Sequence, residues 1–95
     1  MLLSNIKGGD IMAFETTWAN IVKCAGQEFK TKTGLPFTYE ISNGAVVPDR
    51  TGYPLGKRNF EKAAEIAVLQ GPGQISHLVR GPAYVYAILT DPRIR

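Results

Sequence analysis

The chain has 95 residues, 44% of them hydrophobic and 20% charged, which is enough for one small domain and argues against disorder. No apolar run reaches the roughly 20 residues a membrane-spanning helix needs, and the single cysteine, Cys24, cannot close an internal disulfide, so a cytoplasmic protein without a membrane partner is expected. The formal net charge of +3 is lower than most dedicated nucleic-acid binders carry, but it is uneven: residues 1–49 hold four basic and five acidic side chains, residues 50–95 seven and three, a bias toward an anionic partner.

Met1–Ser4 has neither the basic start nor the apolar length of a signal peptide. Lys7-Gly8-Gly9 can be encoded as a ribosome-binding site, with Asp10-Ile11 as spacer before a start at Met12. Residues 1–11 are therefore expected to be a translated leader or a plain Gly-Gly linker, and residues 12–95 a single α+β domain. The leader reading implies bacterial, phage or mobile-element DNA. Thr16 or Thr17 then caps a first helix, whose Trp18, Ile21, Val22 and Ala25 follow at i, i+3, i+4 and i+7 as one apolar stripe. Gly26 ends it.

A three-stranded antiparallel meander is expected next. Glu28–Thr33 leads into the breaker Gly34-Leu35-Pro36. Phe37–Ile41 alternates apolar and polar residues with the period of a half-buried strand. Asn43-Gly44 tolerates the two positive φ angles of a type I′ hairpin turn, and Ala45–Pro48 returns. Asp49–Gly56 reads as a loop. A second helix is predicted from Lys57 to Leu69, with Phe60, Ala63, Ala64 and Ala67 inward and Glu61 and Glu65 in solvent. Ile75, Leu78 and Val79 suggest a short third helix. Ala83–Leu89 has strand-forming residues but a Pro82 start and an Asp91-Pro92 stop, and the helix is the preferred reading. Trp18, Ile21, Val22, Phe37 or Tyr39, Ile41, Phe60 and Ala64 are expected to share one core.

The chemistry-bearing residues are sparse. His77 neighbours Ser76 and Arg80, which make no catalytic triad, and reads as a solvent-facing side chain. Cys24 is expected buried and inert. One cysteine and one histidine cannot supply a closed zinc ligand set, and no cofactor is implied. Glu61/Glu65 read as the wet face of a helix, and the glycine pairs lack the Lys-Ser/Thr of a phosphate loop. The basic set Lys30, Lys32, Arg50, Lys57 and Arg58, with Thr31, Thr33, Tyr39 and Tyr53 nearby, has more weight. A meander followed by a helix can bring these to one rim that contacts phosphates and stacks a base, although lysines also guard edge strands against aggregation. At the C-terminus Tyr84, Tyr86 and Ile94 exceed what one small helix buries, which makes them candidates for a homodimer interface.

The expected fold is α+β, with an N-terminal amphipathic helix, a three-stranded meander and two or three C-terminal helices on one face of the sheet. The expected function is a small non-catalytic binding module that contacts nucleic acid through a weakly basic rim. The alternatives are a protein-interaction or adaptor module acting as a homodimer and, last, a small metal-independent ribonuclease using Arg, Lys, Tyr and His77.

Overall fold

The computed structural model describes residues 8–66 and 69–95, with side chains from Phe14 onward. It is a small α+β domain with two antiparallel sheets and, among the described residues, three α-helices. Helix α1 spans Gly8–Lys23. It begins well before the expected cap, so Thr16 and Thr17 lie inside it and Gly8–Ile11 continue into it without a break; residues 1–7 of the expected leader lie outside the described residues. The inward face is also rotated from the expected stripe. Phe14, Thr17, Ile21 and Cys24 are buried, Trp18 and Ala25 are half-buried, and Val22 is 44% exposed. Starting earlier brings Phe14 into the core, and the helix turns toward it: the Phe14 ring lies 6.5 Å from Trp18, which in turn meets Phe60 at 6.0 Å.

The run Phe37–Ile41 keeps its alternation but serves two sheets instead of one. Strand β1 (Phe29–Lys30) pairs with β2 (Pro36–Phe37), whereas β3 (Tyr39–Ser42) pairs with β4 (Ala45–Pro48), and β4 with β5 (Leu55–Gly56). The chain changes partner at Thr38, whose N–H goes to Asp49 Oδ1 (3.1 Å) and whose carbonyl accepts from Asp49 N (2.9 Å). The expected single meander is thus divided, and its third strand of the main sheet comes from the segment read as a loop. Leu55 supplies the reason: it is fully buried and opposite Val46.

The β3–β4 hairpin turns on Asn43 (φ 51°) and Gly44 (φ 74°), both positive as a type I′ turn requires. The two-residue turn makes Ser42/Ala45 a hydrogen-bonded pair, and alternation then puts Tyr39/Pro48 at a non-bonded position, where a residue without an N–H fits. Phe37 and Tyr39 point inward against Phe29, at 6.0 and 5.4 Å between ring centres.

Helix α2 covers Lys57–Ala64, shorter than predicted. The N–H groups of Glu65 and Ile66 tighten onto Lys62 and Ala63 and close it. Phe60 and Ala63 are buried, Ala64 half-buried, and Glu61 and Glu65 exposed; Ala67 lies outside the described residues. The expected third helix is one 3-10 turn, Pro72–Gln74, followed by a turn that buries Ile75 and Val79 and leaves Leu78 exposed. Helix α3 spans Pro82–Leu89 with Pro82 in its first turn. It packs against α2, the 3-10 turn and β1, which is why it is apolar on almost every side. Beyond it the chain closes onto β1. Arg93 places its guanidinium 3.9 Å from the Phe29 ring centre, bonds Asp91 through both carboxylate oxygens at 2.9 Å, and reaches the Glu28 carbonyl at 2.9 Å.

Candidate functional site

Three of the five expected cations gather around the β1–β2 hairpin. Lys30 stands opposite Pro36 in the register. The Pro36 carbonyl accepts a bond from Arg50 Nη1 at 3.4 Å, so Arg50 is tethered across from Lys30. Lys32 follows in the connecting turn and is exposed. The connecting turn is held by Thr31, whose Oγ1 accepts from Leu35 N (3.1 Å) and whose carbonyl accepts from Gly34 N (2.8 Å). Lys30, Lys32 and Arg50 all lack a carboxylate partner within ion-pair distance among the described residues; the ion pairs found are Lys57–Glu15 and Arg93–Asp91. Lys32 is partly engaged, donating to the Gln70 carbonyl (2.7 Å) with its ammonium 5.7 Å from the Tyr86 ring centre.

The other expected site residues are placed elsewhere. Lys57 turns to α1, pairing with Glu15 at 3.3 Å and lying 5.7 Å from the Trp18 ring centre. Arg58 is exposed on α2. Tyr39 is fully buried and its hydroxyl donates to the Ile21 carbonyl, so it cannot stack a base; burial pushes its phenol above the ordinary range. The C-terminal trio is held by its own chain. Tyr84 is half-buried with its ring edge against Phe37 at 5.0 Å, Tyr86 donates to the Gln70 carbonyl (3.2 Å), and Ile94 is buried in the core rather than on the surface.

One arrangement has no signal in the sequence. Arg80 lies over the exposed ring of Tyr53, 5.5 Å from its centre. The two residues are 27 positions apart in chain number, and no local spacing links them.

His77 is exposed, and the neighbouring Ser76 hydroxyl donates to the Gly73 carbonyl at 3.2 Å, not to the imidazole. Among the described residues no three His, Cys, Asp or Glu side chains lie close enough to hold a metal ion, and no helix is long and apolar enough to cross a membrane. The outer face of β3-β4-β5 carries an open groove of about 680 Å³ over Ala45, Val47 and Gly56, with Glu40 as its one carboxylate. Comparison of the chain with protein-family models, with curated proteins and with solved structures finds no match.

Proposed function

We propose that this protein is a small non-catalytic binding module whose ligand is nucleic acid, contacted through the β1–β2 hairpin. The observation that supports it is the set Lys30, Lys32 and Arg50 around Pro36, three exposed cations without carboxylate partners among the described residues. Without carboxylates to neutralise them, these surface cations together raise the local potential for a phosphate chain. Arg50 is suited to this role because one N–H anchors it to the backbone and the remaining donors stay available. Binding of a labelled oligonucleotide, measured across a salt series, tests the reading. Three phosphate contacts give a log–log salt slope of about −2 to −3, and Arg50→Glu reduces affinity and slope together. Binding that ignores salt, or no binding at low salt, overturns it.

The second reading, a protein-interaction module acting as a homodimer, draws support from the open groove on the outer sheet face. Sedimentation at micromolar concentration separates the two, since a dimer there favours this one and a monomer removes it.

A further inference from the structure

Tyr53 and Arg80 are each positioned by backbone bonds of their own segments. The 49–54 loop is closed by Thr51 N and Gly52 N on the Pro48 carbonyl, at 3.3 and 3.0 Å. Tyr53 N lies 3.4 Å from Thr51 Oγ1. Arg80 N donates to Asn59 Oδ1 (3.2 Å), while Asn59 Nδ2 reaches the Gly56 carbonyl (3.4 Å). The next residue, Gly81, packs directly on Leu55 of β5. The Tyr53 loop is thus anchored to the end of β4 and Arg80 to the β5–α2 junction, and the ring and guanidinium meet between them.

The core does not explain the pair. Tyr53 is 40% exposed and lies outside the buried cluster. Arg80 is exposed and has no carboxylate within ion-pair distance among the described residues. A ring at the surface under a guanidinium that has no carboxylate partner among the described residues offers a stacking surface and phosphate donors at one place.

Resting on the reading above, we infer that the Tyr53–Arg80 pair is a second contact for the ligand and that the ligand is single-stranded. An unpaired base stacks on the Tyr53 ring or the Arg80 plane, and Arg80 faces the adjoining phosphate. Bases in a duplex are already covered on both faces by their neighbours and reach a protein ring only by being unpaired, unstacked and flipped out. The lysines of the hairpin meet phosphates of either form. Tyr53 therefore discriminates and the hairpin does not.

The test is fluorescence anisotropy at low salt with a labelled oligo-dT single strand and a mixed-sequence duplex of equal length, using full-length wild type, Tyr53→Ala, Tyr53→Phe and Arg50→Glu. Thermal melts establish that each variant is folded. Wild type should prefer the single strand. Tyr53→Ala should weaken single-strand binding about 5- to 100-fold and leave duplex binding unchanged, and Tyr53→Phe, which keeps the ring, should bind like wild type. If Tyr53→Ala binds the single strand as wild type does while Arg50→Glu weakens both ligands, the single-strand inference fails and the nucleic-acid reading stands. If wild type binds neither ligand, both fail.

Discussion

The hydroxyl of Tyr39 closes the C-terminal end of α1 by donating to the carbonyl of Ile21. Helix geometry would assign that carbonyl the amide of Ala25, but Ala25 N turns to Val22 at 3.3 Å and the phenol takes its place. In return the Tyr39 carbonyl accepts from Gly26 N at 2.8 Å. One strand residue therefore fixes the end of a helix through both its side chain and its backbone, and couples β3 to α1.

Tyr39→Phe should keep the packing and lose this bond, at a cost of about 1–2 kcal/mol in chemical denaturation. The effect should depend on pH in a defined direction. Burial raises the folded-state phenol above its unfolded value, so its contribution is complete below about pH 10 and is lost as the pH rises further. Melts between pH 7 and 11 should show a steeper alkaline decline in wild type than in Tyr39→Phe. Parallel curves would show that the phenol does not carry it.

Asp91 works at the acid end. Its hydrogen bonds from Arg93 hold the carboxyl below the usual range, so its contribution is present above about pH 4 and disappears as the pH falls through the folded value. Arg93→Gln should lower stability at pH 7 by about 1–2 kcal/mol, a loss kept modest by partial exposure, and the gap to wild type should narrow at pH 2.5. Urea titrations at the two pH values check this, and a gap of equal size at both would assign the loss to the stacking of Arg93 on Phe29.

Gly81→Ala should destabilise more than Gly44→Ala. Both positions have positive φ, +61° and +74°, which costs an alanine about 1–2 kcal/mol. At Gly44 a Cβ meets open space, whereas at Gly81 it would lie 2.9 Å from Leu55 Cδ2, inside a fully buried contact. Displacing Leu55 adds about 1–3 kcal/mol. Equal midpoints for the two variants in guanidinium would rule out the steric part.

Phe60 and Trp18 should rank in an order opposite to their size. Phe60 is fully buried, and Phe60→Ala should cost about 3–5 kcal/mol. Trp18, the larger ring, sits half-buried between Phe14 and Phe60 under Lys57, so Trp18→Ala should cost less. Denaturant midpoints for the two variants give the order.

Features set by near neighbours along the chain are legible in the amino-acid sequence itself. Asn43-Gly44 dictates its hairpin because only residues that accept positive φ can make that turn. Pro82 starts α3 because its missing N–H is unused in a first helical turn, and Phe60 and Ala63 face inward because helical period puts them on one side. The rest depends on partners far along the chain. Periodicity cannot tell that Phe37 and Tyr39 belong to different sheets, because that follows from Asp49 binding Thr38. It aims α1 by Trp18 and Val22, whereas the burial of Phe14 turns the helix. For the candidate site, Lys30 and Lys32 are legible as exposed residues, but alternation would put both on one strand, whereas β1 ends at Lys30 and Lys32 stands in the turn, reaching Gln70. Arg50 joins them through the Pro36 carbonyl, Lys57 leaves for Glu15, and Tyr53 meets Arg80. These pairings are settled in three dimensions, because a charge or a ring finds its partner by distance in space and sequence spacing records only distance along the chain.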